Sequence, residues 1–318
     1  MLAYTARRLL VSLGLVWVVA SLVFMVIHLI PGDPAEVLLS QGGIAPDPAT
    51  VADLRERLGL NRPIVTQYVD YLGGLLRGDF GVSLQDEHPI VEEIALRLPR
   101  TLELIAAAAL ISVLFGVPLG VWSALRAGSW VDRGLSAGAG MALSVPVFVV
   151  GTLAILILAQ QLRWVSAGGY VPFSQDPGRH IALLLMPACT IAVGLGAVVF
   201  RVMRASVLEV LEREHVRAAQ ARGVSPARII RRHVVRNALT PVITVLALHL
   251  GALLGGTVLV EFVFNWPGLS GYLVRAVEAR DYPEVMGIVL VISSLFVLLN
   301  FLVDLLYAVL DPRVRHGT

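Results

Sequence analysis

One stretch of the chain, residues 212–237, reads EREHVRAAQARGVSPARIIRRHVVRN and lies between two long apolar runs. Gly223 can adopt the left-handed conformation that ends a helix. Ser225 then suits the N-cap of a second helix, and Pro226 suits its first position. The stretch therefore predicts two polar helices joined at a tight corner between two apolar segments.

Apolar runs flank this corner and recur along the whole chain. Of the 318 residues, 57% are hydrophobic and only 15% are charged, against about 25% charged in soluble globular proteins. A helix needs about 20 apolar residues to cross a bilayer. Runs of that length lie near residues 9–30, 102–125, 135–162, 181–200, 239–263 and 285–310. We therefore predict an all-α polytopic membrane protein with six transmembrane helices.

The distribution of arginine predicts the orientation of these helices. With the N-terminus inside, 15 of the 25 arginines fall on the inner side and 10 on the outer side. Inner loops of membrane proteins are enriched in arginine, so both termini are predicted to lie in the cytoplasm. The first run follows Arg7 and Arg8 and has no small-residue cleavage site, so it is predicted to remain as an anchor.

Two long polar segments carry opposite charge. Residues 31–100 have a net charge of −5, and residues 201–236 have a net charge of +6. In the first segment, prolines mark the starts of three stretches, and a glycine or proline follows two of them. This pattern predicts three short helices, Pro48–Leu58, Pro63–Leu76 and Pro89–Leu98. We expect them to form a helical cap outside the membrane, with a mobile loop as the alternative.

The basic corner has two interpretations. Ala218 and Ala219 precede the corner by about one helical turn and would let another backbone approach closely. Such a short helix fits a groove on a partner protein. The alternative is a basic loop that only sets topology and contacts anionic lipid. DNA binding is not expected, because a segment anchored by membrane helices at both ends can hardly reach a major groove.

Several kinds of chemistry are excluded by composition. All 25 basic residues are arginine, so a lysine-containing phosphate-binding loop is absent and the chain does not bind ATP by that route. The single cysteine, Cys189, permits no internal disulfide and is expected to be a small buried group. The histidines are scattered and form no H-E-x-x-H motif, so an intramembrane metalloenzyme is not predicted.

Motifs along the whole chain resemble one family. The alanine pair and Gly223 match the E-A-A-x-x-x-G coupling loop of bacterial ABC importer permeases, although Arg217 stands where that loop has glutamate. The other matching segments are Tyr4 to Leu9, Pro31 to Pro34, Leu58 to Pro63, Arg77 to Gly81 with Ser83, Val260-Glu261 with Phe264, Trp266 to Leu269, Arg280 to Pro283, Asp304 to Tyr307 and Asp311 to Arg315. In this order they resemble the first permease subunit of the dipeptide/oligopeptide/nickel family of binding-protein-dependent importers. Ser270, where glycine is more common, is a second departure.

The resemblance implies a type I ABC importer permease fold in the bacterial inner membrane. It implies a first helix within residues 1–30, a cap over 31–100, a five-helix core over 101–310 and a cytoplasmic tail over 311–318. The subunit would be non-catalytic and would form a peptide pathway with a second permease. Two ATPase subunits would bind ATP and magnesium, and a solute-binding protein would deliver the cargo. Nickel or glutathione is the alternative cargo, and an ion-coupled secondary transporter is the remaining alternative.

The resemblance also assigns the coupling residues. Contact with the ATPases would run through residues 208–237, and the residues assigned to it are Ala218, Ala219, Gly223, Arg217, Ser225 and Pro226.

Three ionisable residues fall within or near the apolar runs and are candidates for a pathway or structural role. They are His249, Asp304 and Glu261. His249 either lines the pathway or is a neutral core histidine, and Asp304 either acts in transport or pairs with an arginine. Glycine pairs at spacing four, Gly116/Gly120, Gly134/Gly138 and Gly251/Gly255, predict close helix packing. Pro118, Pro146 and Pro187 are expected to bend their helices.

Overall fold

The computed structural model describes residues 2–29, 36, 47–57 and 59–310. Within these ranges the chain forms helices joined by turns and by two longer loops, between Leu76 and Ile90 and between Gln161 and Pro177. The only β-type pairing within them is one isolated bridge between Val82 and Pro89. The prediction of an all-α protein is confirmed. The predicted tail over 311–318 and the motif Pro31 to Pro34 lie outside the described residues.

The helices are numbered in chain order. They are α1 (Leu2–Leu29), α2 (Pro48–Arg57), α3 (Ile64–Leu76), α4 (Ile90–Leu125), α5 (Trp130–Ser144), α6 (Val147–Gln161, ending in a π-helix), α7 (Pro177–Leu211), α8 (Glu214–Ala221), α9 (Pro226–Gly256, with a π-helix over Ile229–Val235), α10 (Val258–Val263), α11 (Leu269–Glu278) and α12 (Tyr282–Leu310).

The described chain contains five continuous helices that are long and apolar enough to cross a membrane, namely α1, α4, α7, α9 and α12. The predicted third span is a broken one, because α5 and α6 together meet the same test but are bent by 100°. The break has a local cause. Val145 is extended, with φ −90° and ψ 126°, as the residue before a proline prefers, and Pro146 has no amide hydrogen to continue the helix. Pro118 and Pro187 remain inside α4 and α7.

The cap differs from its prediction in one helix. The first two predicted helices are present as α2 and α3. The third is not separate, because α4 begins at Ile90 and continues through Pro99 to Leu125. Proline removes one helical hydrogen bond, but the next turns bury Leu104 and Ala108 completely. We infer that this packing holds the helix across the proline.

The chain divides into two compact units, residues 1–99 with 272–301 and residues 100–271 with 302–318. In the first unit, α3 packs against α1. The Ser21 and Tyr68 hydroxyls lie 2.6 Å apart, and the ring of Phe24 meets that of Tyr68 edge-on at 5.3 Å. Burial raises the pKa of the neighbouring Tyr71 to about 12.

A buried carboxylate joins residues 83–84 to the start of α12 within the same unit. Asp281 is fully buried and accepts hydrogen bonds from the Ser83 hydroxyl at 2.7 Å and the Leu84 amide at 2.8 Å. Tyr272 donates its hydroxyl to Glu284 one turn further along. These contacts give a structural role to Ser83 and Asp281, two residues of the motifs noted above.

In the second unit, small residues allow α4 to approach α7 closely. A side chain added at Gly116 would lie 2.8 Å from Val199, and one at Gly120 would lie 2.8 Å from Met203. This glycine pair therefore packs as predicted.

The other two glycine motifs behave differently. Gly134, Gly138 and Gly255 face open space and meet no neighbour among the described residues, whereas Gly251 is buried. Cys189 is exposed rather than buried as expected. Together with Gly134 and Gly138 it lines an apolar cavity of about 450 Å³.

Candidate coupling surface and intramembrane polar residues

The corner after α8 has the predicted left-handed glycine. Gly223 has φ +75° and is exposed. Its amide donates to the Gln220 carbonyl at 2.9 Å, and the Val224 amide donates to the Ala219 carbonyl at 3.2 Å. This pair of bonds is the Schellman motif, which satisfies carbonyls left free at a helix end.

The next helix starts as expected, with one difference. Pro226 occupies the first helical position and Ser225 is the N-cap residue. The Ser225 side chain makes no capping hydrogen bond. Its backbone carbonyl instead accepts from the amides of Arg228 and Ile229, both at 3.0 Å.

The two alanines before the corner have different environments. Ala219 is only 1% exposed and packs, together with Val216, into a core formed with α7 and α9. Ala218 and Arg217 are exposed on the opposite side of α8. Of the alanine pair, only Ala218 is therefore available to a partner protein.

The core beneath the corner joins three helices. Val207 and Val210 of α7, Val216 of α8, and Val234 of α9 are all at most 2% exposed. Because protein interiors are close-packed, a displacement of α8 must move the ends of α7 and α9 with it. The exposed corner is thus mechanically connected to two membrane helices.

His249 lies on the exposed surface of α9, so the interpretation as a core histidine is not supported. Among the described residues no hydrogen bond, ion pair or ring contact of His249 is found. It lies about 15 Å along the helix from Leu239, the start of the apolar run, which is near the middle of a bilayer core about 30 Å thick. A histidine at that depth is expected to face protein or water rather than lipid.

Asp304 is half-buried in α12. It is not a free carboxylate, because it takes part in a hydrogen bond, an ion pair or another electrostatic interaction.

Glu261 is a buried carboxylate that is held by hydrogen bonds. It is 1% exposed in α10, beyond the span that ends at Gly256. Its carboxylate accepts hydrogen bonds from the Thr101 hydroxyl at 2.6 Å and from the Gly271 amide, in the first turn of α11, at 2.7 Å. Burial raises the pKa of Glu261, and these hydrogen bonds oppose that shift.

The turn around Glu261 also explains why glycine occupies position 268 and how serine fits at position 270. Gly268 lies so close that an added side chain would come within 2.3 Å of the Glu261 carboxyl carbon. Ser270 is fully buried, and its hydroxyl donates to the Leu254 carbonyl at 3.1 Å. Serine at position 270, where glycine is more common in the family, is therefore accommodated by a hydrogen bond to α9.

Two polar clusters of the second unit were not identified from the sequence. In the first, Arg204 of α7 donates to both oxygens of the buried Asp132 at 2.6 and 2.8 Å, and Ser123 donates to the same carboxylate at 2.5 Å. The S-x-x-D spacing of Ser129 and Asp132 is the one signal that could have revealed this helix start.

The second cluster surrounds His180, which is 1% exposed. Its Nδ1 lies 2.7 Å from the Val171 carbonyl, and its Nε2 lies 2.7 Å from Glu103. The rings of Tyr170, Phe173 and Trp266 meet the imidazole edge-on. No spacing in the sequence joins these residues, because they come from separate loops and helices.

Known transport proteins resemble this chain along nearly its whole length. The N-terminal family model of binding-protein-dependent transport system membrane components matches residues 1–105. Three relatives align over nearly their full length. A probable peptide ABC transporter permease protein of Sinorhizobium fredii is 38% identical over 98% of this chain and 99% of its own. A di/tripeptide transport system permease protein of Pseudomonas aeruginosa is 38% identical, covering 99% of both chains. A glutathione transport system permease protein of Escherichia coli K12 is 37% identical over 99% of this chain and 100% of its own.

A second family model covers the corner and the membrane helices on either side of it. It describes the inner membrane component of binding-protein-dependent transport systems, and it matches residues 116–316. The chain therefore belongs to the family of inner membrane components of binding-protein-dependent transport systems.

Proposed function

We propose that this chain is one of two related permease subunits of an ATP-driven importer, and that its cargo is short peptides. The chain itself is a non-catalytic membrane subunit. The relatives named for peptide and di/tripeptide transport support this cargo. Glutathione, itself a tripeptide, is the second candidate because one relative of similar identity is named for it.

The proposed complex contains partners that supply what this chain lacks. A solute-binding protein outside the membrane delivers the peptide, and a second permease completes the pathway. Two cytoplasmic ATPase subunits bind ATP and magnesium, which fits a chain without lysine. Both termini then lie in the cytoplasm, on the same side as the basic corner.

The exposed corner is the proposed contact with the ATPases, and it is the observation that carries the coupling role. Ala218, Arg217 and Gly223 are exposed there, while Val216 and Ala219 are packed into the core beneath. An ATPase cleft that holds the corner would push on α8 when it closes. The shared core would pass that movement to α7 and α9, and the helices would rock as rigid bodies.

The exposed face of α9 is the proposed pathway surface. His249 on this face has no partner among the described residues. Polar groups at membrane depth are found where they line water or contact protein. A water-filled pathway between the two permeases would hydrate this histidine and bring it close to the cargo.

We expect a cysteine placed at position 249 to react with a water-soluble thiol reagent in the assembled complex. The variant His249→Cys is made in a Cys189→Ser background, so that it carries the single thiol. An aqueous pathway lets the reagent reach this thiol, and bound peptide slows the reaction. Mass spectrometry of the labelled subunit measures the rate.

Leu254→Cys is the matched control, because Leu254 lies on the same helix but is only 2% exposed. Its thiol is expected to stay unlabelled. If His249→Cys is labelled in the isolated subunit but is as inert as Leu254→Cys in the complex, then position 249 faces the partner permease and the pathway assignment is wrong.

A further inference from the structure

The first three turns of α9 present arginines to the outside. Arg228, Arg231, Arg232 and Arg236 are all exposed. We call these four residues the arginine face. They lie within residues 208–237, but they are not among the six residues assigned to the ATPase contact.

The π-helix explains why the arginines share the exposed side. Ile229 and Val234 are five residues apart and are 4% and 0% exposed, in the core that α9 shares with α7 and α8. A π-helix bonds residues five apart, whereas an α-helix bonds residues four apart. The wider turn lets both apolar residues reach the core and leaves Arg231 and Arg232 outside it.

The positive charge of this face is not balanced within the described chain. No ion pair to any of the four arginines is found among the described residues. The first turn of the helix contains no acidic residue. A helix start is itself the positive end of the helix dipole, so the arginines and the dipole together attract an anion.

The position of the face along the helix indicates which anion. The apolar run begins at Leu239, so Arg236 lies at most about 4.5 Å and Arg232 about 10 Å before the hydrocarbon core. The headgroup layer is roughly 5 to 8 Å thick on each side, and long basic side chains extend along the surface to reach it. The start of the helix at Pro226 lies about 20 Å away, which separates the corner from this layer.

We propose that the arginine face binds the phosphate groups of anionic membrane lipids. The face is positive, solvent-exposed and continuous with a membrane span. Its two arginines nearest the span, Arg232 and Arg236, can reach the lipid headgroups. An ATPase surface would be expected to meet the protruding corner first. Bound lipid would fix the junction between the span of α9 and the core under the corner.

The test uses the full chain, purified in detergent and stripped of lipid. Equal amounts of phosphatidylglycerol and phosphatidylcholine are added, and retained lipids are counted by native mass spectrometry. We expect the wild-type chain to retain phosphatidylglycerol preferentially. The triple variant Arg231→Gln, Arg232→Gln, Arg236→Gln should lose this preference by about fivefold for each arginine removed.

Controls separate this effect from general loss of charge or of fold. Arg163, Arg179 and Arg275 are exposed arginines outside the face, and replacing all three with glutamine should leave the lipid preference unchanged. Arg236→Lys keeps the charge and should keep the preference. Circular dichroism checks that each variant remains helical.

Three results would overturn the proposal. The first is an unchanged preference in a folded triple variant. The second is an equal loss in the variant with the three control arginines replaced. The third is a triple variant that keeps phosphatidylglycerol but no longer associates with the ATPases, since the face would then be part of the ATPase contact.

Discussion

We expect Gly223→Val to reduce peptide uptake about tenfold while the ATPases continue to hydrolyse ATP. Gly223 has φ +75°, and a left-handed conformation costs a residue with a side chain about 1 to 2 kcal/mol. The space around Gly223 is open, with no atom within 4 Å of an added side chain. The substitution would therefore act by distorting the corner rather than by a clash, and the ATPase stroke would no longer move α7 and α9.

The matched control for this prediction is Gly223→Asn. Asparagine is of similar size but tolerates the left-handed conformation, so uptake should stay close to wild type. Docking of the ATPases is followed by cross-linking from Ala218→Cys, with the buried Ala219→Cys as the negative position, both in a Cys189→Ser background. Normal docking and normal uptake in Gly223→Val would refute the coupling role of the corner.

We expect Gly268→Ala to prevent stable folding of the turn between α10 and α11. The added carbon would lie 2.3 Å from the Glu261 carboxyl group, which is enclosed on all sides. Overpacking costs about 1 to 3 kcal/mol, and displacing a buried carboxylate from its donors costs about 1 to 3 kcal/mol more. Thermal unfolding of the purified subunit, followed by size-exclusion chromatography, measures the loss.

Gly271→Ala is the matched control in the same turn. Its nearest contact would be at 3.5 Å, an ordinary van der Waals distance. The position is helical, where alanine is favoured over glycine by about 1 kcal/mol, so stability should be retained or slightly increased. Equal unfolding temperatures for Gly268→Ala and the wild type would show that Glu261 can move and that the turn is not fixed by it.

The membrane helices could be predicted because long apolar runs leave few alternatives in a bilayer. The Gly223 corner could be predicted because left-handed glycine followed by Ser225 and Pro226 is a local signal. The prolines were harder to interpret. Pro146 breaks a span, whereas Pro99 lies within a continuous helix. The turns after both prolines pack against other parts of the chain, so packing alone does not explain the difference.

The polar contacts were the least predictable part of the site. Glu261 meets Thr101 from a helix 160 residues away in sequence, and Asp132 meets Arg204 from a helix 72 residues away. Neither distance leaves a trace in local spacing. The exposure of His249 depends on the rotation of α9, which periodicity cannot determine in a uniformly apolar span. Ala218 and Ala219 are identical neighbours, and their different burial depends on the core that α8 shares with α7 and α9.

The proposed role is tested most directly by uptake of a labelled dipeptide into proteoliposomes of defined composition. Uptake should require this chain, the second permease, the two ATPases, the binding protein and ATP together, and should stop when any one is omitted. Uptake by this chain alone, driven by an ion gradient and insensitive to ATP, would instead identify it as a secondary transporter.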